Sequence, residues 1–237
     1  IEAQCTFPPP TAPRTATRPA AWDASPASKA EEFSRAVPLA LFDYLRKSRA
    51  GGLVVSLSGG ADSSAIVTMV WLLVELALAD IGREVVLRKL AHIQGLAEQP
   101  NNGALVGRLL TCVYQRTRNS SQVTHSAAVQ VTKAVGAEFV EWNIDNLVDG
   151  YVDMVSQATD RQLTWKQDDL TLQNIQARVR GPGAWLLANM RGALLLATSN
   201  RSEAAVGYAT MDGDTCGGLA PITGIDKAYL LEWLQWM

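Results

Sequence analysis

Ser58-Gly59-Gly60-Ala61-Asp62-Ser63 is the stretch of this chain whose residue types and order could do chemistry. Two adjacent glycines let backbone approach a bulky anion closely and take conformations closed to other residues. The apolar run Leu53-Val54-Val55-Ser56-Leu57 before them is typical of a buried parallel strand, and Ala65 to Ala79 after them reads as a helix. A glycine-rich turn that opens a helix offers unpaired N–H groups and the positive end of the helix dipole, so the expected guest is a polyphosphate. Ser58 and Ser63 could add hydroxyl donors. Asp62 would repel a bare phosphate, which points to a hard cation such as Mg²⁺ held between them. The plainer alternative is a tight strand–helix turn with an incidental aspartate.

The rest of the chain supplies elements to carry such a turn. Lys29 to Arg49 has Phe33, Val37, Leu41 and Leu45 at four-residue steps, a one-faced helical pattern. Leu109 to Tyr114 reads as a strand, Ser121 to Val135 as a helix closed by Gly136, and Glu138 to Asn143 as a strand. Asp145 to Gln157 is helical, Asp160 to Asp168 loop-like, Leu170 onward helical, and Ala193 to Thr198 a strand. Gly181-Pro182-Gly183 predicts a kink or break in that last helix. Alternating strands and helices give the fold class α/β, a parallel sheet with helices on both faces.

Composition narrows the classes further. With 237 residues, 48% hydrophobic and 19% charged, the chain can bury a sizeable single core. A net charge of -2 gives no reason to expect nucleic acid or a membrane surface as a partner. Cys5, Cys112 and Cys216 are odd in number and show no CxxC pair, which suits a reducing cytoplasm. The stretch Ala65 to Ala79 is too short to cross a bilayer undistorted. Residues 1–28 are rich in Pro, Ala and Thr and read as a linker from a preceding domain, with 29–237 as one domain trimmed at its end. His92 and His125 share no metal-ligand spacing and receive no role.

No lysine completes a Walker A loop here, and GxGxxG is absent. The loop instead resembles the SGGxDS pyrophosphate-binding loop of the Rossmann-like ATP pyrophosphatases (adenine nucleotide alpha-hydrolase-like), which cleave ATP between the α and β phosphates. GMP synthetases, asparagine synthetases and tRNA-modifying enzymes share that loop, so later segments must choose among them. Leu109–Tyr114 with Asn119-Ser120-Ser121-Gln122-Val123-Thr124 is similar to the second ATP-side strand and loop of NAD synthetases. Asp169 to Arg180, containing Asn174-Ile175-Gln176-Ala177-Arg178, resembles that family's NIQAR helix. Leu196 to Tyr208 resembles its GTxNxSExxxGY segment, and Gly213-Asp214 through Ile222 the adjoining substrate loop. The likeness is greatest to the glutamine-dependent branch, in which this ATP-dependent synthetase domain follows a glutaminase domain and a linker.

That resemblance implies an amide-forming ligase of NAD biosynthesis. The carboxylate of deamido-NAD attacks the α-phosphorus of ATP, pyrophosphate leaves, and ammonia then displaces AMP from the acyl-adenylate. Such chemistry rests on charge neutralisation and alignment more than on a covalent nucleophile. It implies ATP at Ser58, Gly59, Gly60, Ala61, Asp62, Ser63 and Thr198, and deamido-NAD at Asn174, Arg178 and Glu203. Asp62 and Glu203, expected at strand ends, would hold Mg²⁺ and serve catalysis. Glu203 as a helix-start acid and Thr198 as the cap of the helix near Arg201 are the plainer readings. Asn174 and Arg178, four apart, share a helical face, whereas Arg180 turns elsewhere and reads as structural. Lys227 matches a family lysine, with a solvated surface lysine as the alternative. The family's lysine near Met211 is absent, as is any segment after Met237. The family implies a homo-oligomer, and Trp233, Leu234 and Trp236 would suit an interface. Another adenylating enzyme such as a GMP synthetase, and a nucleotide-binding module without catalysis, stay open as alternatives.

Overall fold

The computed structural model describes residues 25–237, so most of the expected linker over residues 1–28 lies outside the described residues. A turn over residues 25–27 leads into helix α1 (Ser28–Ser48). Four strands, β1 (Leu53–Ser56), β2 (Leu110–Arg116), β3 (Glu138–Asn143) and β4 (Leu194–Leu196), form one wholly parallel sheet in the order β3-β2-β1-β4. Val55 at the centre is flanked in register by Cys112 and Leu196. The chain steps outward from β1 to β3 and then returns to the far side of β1. That reversal makes β1 and β4 a topological switch point, where open α/β sheets leave a crevice at their carboxyl ends.

Strand alternation divides the core into two layers. Leu53 and Val55, Cys112 and Tyr114, and Leu196 face a large cluster that includes helices α1, α2 (Ala61–Lys89), α3 (Asn102–Leu109) and α4 (Gln122–Val135). Val54, Val113 and Leu195 face the opposite way, onto Ala184 and Ala188 of helix α6 (Asp169–Met190). Helix α5 (Asp145–Thr159) packs on the outside of α6 and buries none of its own residues fully. Each large apolar side chain taken from water contributes about 1.5–3 kcal/mol, so the two inner strands packed on both faces, β1 and β2, are the best anchored.

The stretch Ala65–Ala79 proves to be part of a longer helix. By length and composition α2 could cross a bilayer, but it packs against β1, α1, α4 and helix α8 (Lys227–Trp236) as the central core helix. Gly82, at φ 75°, interrupts its helical geometry near the far end. Trp233 corrects another expectation. It is not an interface residue but is buried, edge-on to Phe33, with its indole N–H donated to Ser34 Oγ at 2.8 Å.

The expected break in α6 and the expected end of β4 at Thr198 fail for physical reasons. α6 runs unbroken through Gly181-Pro182-Gly183. Pro182 removes one ladder donor, but the glycines on either side let neighbours close on the helix backbone. A Cβ on Gly181 would come 3.1 Å from the Asp212 carbonyl, and one on Gly183 3.2 Å from the Trp142 ring, so packing holds the helix across the proline. β4 stops at Leu196 rather than Thr198 because the chain there pairs with a later segment. Gly218 donates to the Leu195 carbonyl and Ala197 to the Leu219 carbonyl, both at 2.8 Å.

Candidate functional site

A cleft of about 390 Å³ opens at the carboxyl ends of β1, β2 and β4. Ser56, Leu57 and Leu196 form its floor, the segment from Tyr114 to Thr124 one wall, and the α6 residues Gln176, Arg180 and Gly181 the other. Thr198, Gly213, Asp214 and Cys216 close its far side.

The glycine turn joins β1 to α2 as its sequence predicts. Gly59 has φ +81°, and a Cβ there would lie 2.2 Å from the Thr124 carbonyl, so only glycine fits both the conformation and the space. Gly60 is the residue before the first turn of α2, and the helix ladder starts with Ser64 N–H donating to the Gly60 carbonyl. The N–H groups of Ala61, Asp62 and Ser63 precede that ladder. Ser63 Oγ is committed to the loop: it donates to the Gly60 carbonyl at 3.2 Å and accepts from the Ser58 N–H at 3.3 Å. Ser58 Oγ accepts from the Gly60 N–H and borders the cleft.

Asp62 and Glu203 are brought together, though not from strand ends. Asp62 sits in the first turn of α2 and Glu203 in the first turn of helix α7 (Arg201–Val206). Lys227 joins them: its Nζ pairs with Asp62 Oδ2 and lies 3.8 Å from Glu203 Oε1. It is a partly exposed lysine committed to these two carboxylates. One cation position is shared by two carboxylates, a donor set suited to a hard cation that takes its remaining oxygens from phosphate and water. Among the described residues no group of three or more His, Cys, Asp or Glu gathers to hold a metal, and here only two carboxylates converge. Asn200 completes the cluster, donating to Asp62 Oδ1 at 2.9 Å. It also caps α7, accepting from the Glu203 N–H at 3.0 Å while Glu203 Oε2 accepts from the Asn200 N–H. The cap of α7 is thus Asn200 and not Thr198, which is left lining the cleft.

Asn174 and Arg178 do face one target, and in this structure it is a loop. Asn174 Oδ1 accepts from Thr210 Oγ1 at 3.0 Å, and Arg178 Nε donates to the Met211 carbonyl at 3.1 Å. Ser199 Oγ donates to the Asp214 carbonyl at 3.1 Å, so α6 and the end of β4 together hold the 210–214 segment beside the cleft. Arg180, expected to be structural, is the arginine that lines the cleft, and burial lowers its pKa. Gln115 is a further residue that sequence reasoning missed. Its amide donates to Ser56 Oγ and the Arg180 carbonyl and accepts from Trp142 Nε1, tying β1, β2, β3 and α6 together beneath the cleft. A long polar side chain buried near the end of β2 was the available signal. Burial also raises the Cys216 thiol, and pushes that of Cys112 up to about 12.

Residues 34–237 match the sequence profile of a family described as NAD synthase. A glutamine-dependent NAD(+) synthetase of Oryza sativa subsp. indica is 33% identical over 215 residues, 83% of this chain and 29% of that protein. The crystal structure of a glutamine-dependent NAD(+) synthetase from Cytophaga hutchinsonii superposes with a TM-score of 0.83 and 45% identity, over 88% of this chain and 37% of that one. A second such enzyme, from Acinetobacter baumannii in complex with ADP, gives 0.66 and 25%, over 87% and 32%. The chain thus spans about a third of the length of the relatives it matches.

Proposed function

The chain belongs to the NAD synthase family, and from that premise we propose that it carries the synthetase step, ATP-dependent amidation of deamido-NAD to NAD. The observation that carries this reading is the convergence of Asp62 and Glu203 on one cation position, beside a glycine turn whose helix N–H groups precede the ladder. ATP lies with its adenosine in the cleft and its phosphates toward Ser58, Gly59 and Gly60. The ADP complex of the Acinetobacter baumannii relative supports nucleotide binding here. Asp62 and Glu203 would hold Mg²⁺, which when bound neutralises polyphosphate charge. Lys227 then has phosphate oxygens as an alternative partner to the carboxylates.

Deamido-NAD presents its carboxylate to the α-phosphorus from the side of the 210–214 segment, with Asn174 and Arg178 fixing that segment. The carboxylate oxygen forms a bond to phosphorus, pyrophosphate leaves, and ammonia then attacks the acyl carbon and expels AMP. The protein's part is to hold two anions in line and keep water from the acyl-adenylate. Residues 29–237 are the synthetase unit in this reading, and the ammonia comes from glutamine or from solution. We also propose self-association, supported by exposed Leu147, Tyr151 and Met154 on α5 and Leu186 and Met190 on α6, with light scattering as its test. A cytoplasmic setting agrees with the unpaired Cys112 and Cys216.

The deciding experiment measures AMP and pyrophosphate released from ATP with Mg²⁺, ammonium and deamido-NAD, in the chain and its Asp62→Ala variant. AMP that depends on deamido-NAD and vanishes in the variant is the expected result. AMP formed with xanthylate instead, or none with any acid while ATP still binds, would overturn the proposal.

A further inference from the structure

Arg180 is half-buried yet has nothing to hold, whereas Arg49 and Arg116, the other described arginines without a side-chain partner, are exposed to water. Arg118, Arg161, Arg191 and Arg201 each pair with a carboxylate, and Arg108 donates to the carbonyls of Gln94 and Gly51. The guanidinium of Arg180 makes no hydrogen bond and no ion pair within 4.0 Å among the described residues; only its backbone carbonyl is used, by Gln115. Yet it is half-buried on the cleft wall, and burial lowers its pKa. Asp214 acts on it electrostatically but forms no ion pair with it. Withdrawing a guanidinium from water without a counter-charge is costly, so the arrangement calls for an anion from outside the chain.

The cleft itself says what kind. Its polar lining is mostly neutral (Ser58, Thr117, Asn119, Ser120, Thr198), and Arg180 is its one cationic side chain among the described residues. A planar fork of N–H donors matches two oxygens of one phosphoryl or carboxylate group. We propose that Arg180 is a substrate-binding residue that holds an oxyanion of the bound reactants, either a phosphoryl group of the nucleotide or the carboxylate of the acid substrate. The inference rests on the reading of this cleft as the nucleotide site.

The test is calorimetric and needs no turnover: dissociation constants of ATP and of deamido-NAD for the full chain, its R180M and its R180K variants. R180M weakens at least one ligand by about tenfold or more, the scale of a lost charge-assisted pair, and R180K recovers part of the loss. A loss confined to ATP assigns the phosphoryl group; one confined to deamido-NAD assigns the carboxylate. Unchanged affinity for both ligands in a cooperatively melting R180M overturns the inference and leaves Arg180 as a packing residue. Should R180M not fold, R180Q removes the charge while keeping a polar, hydrogen-bonding end and carries the same two outcomes. A wild-type chain that binds ATP through Arg180 but forms no AMP sinks the proposed activity alone. A wild-type chain that binds neither ligand sinks both.

Discussion

Asn200 uses both ends of its side-chain amide at once: Nδ2 donates to Asp62 Oδ1 at 2.9 Å, and Oδ1 accepts the Glu203 N–H at 3.0 Å. It has no exposed surface, so neither bond can be replaced by water without rearrangement. One residue after β4 therefore fixes two carboxylates that come from different helices.

Asn200→Ala removes a bond to a charged group and a helix cap together, and the expected loss is about 2–4 kcal/mol. Asn200→Ser keeps a capping oxygen but falls short of Asp62, so it loses clearly less. Urea unfolding at neutral pH orders the two. Equal losses would show that the cap contributes nothing separable from the Asp62 bond.

Gly59 and Gly82 offer a matched pair for the glycine turn. Both have positive φ, +81° and +75°, but a Cβ at Gly82 meets nothing within 4 Å while one at Gly59 meets the Thr124 carbonyl. Gly82→Ala incurs backbone strain alone, about 1–3 kcal/mol for this glycine-only conformation, with nucleotide affinity intact. Gly59→Ala adds the clash, moves the turn away from α4, and weakens ATP binding at least about tenfold. Thermal melts with a fluorescent ATP analogue separate the effects; equal behaviour of the two variants would deny the turn its special role.

Glu138 predicts a pH dependence away from the cleft. The Arg191 guanidinium, with a smaller contribution from the Thr111 hydroxyl at 2.9 Å, holds its carboxyl below the usual range. A depressed carboxylate stabilises the fold above its unfolded pKa, and that contribution fades as pH falls through the folded one. The pair is more than a third exposed, so after solvent screening it contributes no more than about 1 kcal/mol. Glu138→Gln should lower the urea midpoint at pH 7 and converge on the wild type in acid. A gap that is constant with pH would trace the effect to packing instead.

Much of this was legible in residue types, and the limit was long-range geometry. The strand, turn and helix around Ser58–Ser63 follow from local rules, because apolar β-branched residues, paired glycines and an apolar helix each permit little else. The α6 pattern separated Arg178 from Arg180 correctly, since two residues turn a helix by roughly 200°. It could not say which of those faces borders the cleft, and the cleft went to Arg180. Gly181-Pro182-Gly183 misled for the same reason: the packing of Asp212, Cys216 and Trp142 against the glycines comes from distant chain segments.

Lys227 is the sharpest case of a partner set by the fold, 165 residues from Asp62 along the chain. Its ammonium occupies the point that both Asp62 and Glu203 can reach, so a divalent cation bound to those oxygens would have to displace it. Lys227→Met leaves two neighbouring carboxylates without a neutralising partner. The nucleotide-free variant should then bind Mn²⁺, a paramagnetic probe of a Mg²⁺ site, about two- to tenfold more tightly than the wild type, the scale of one partly screened ion pair. A second change, Asp62→Asn, should abolish the gain by removing a ligand. Electron paramagnetic resonance of free Mn²⁺ reads the affinity directly. If all three proteins bind Mn²⁺ alike, the carboxylates do not share a cation position and the Lys227 pair is structural only.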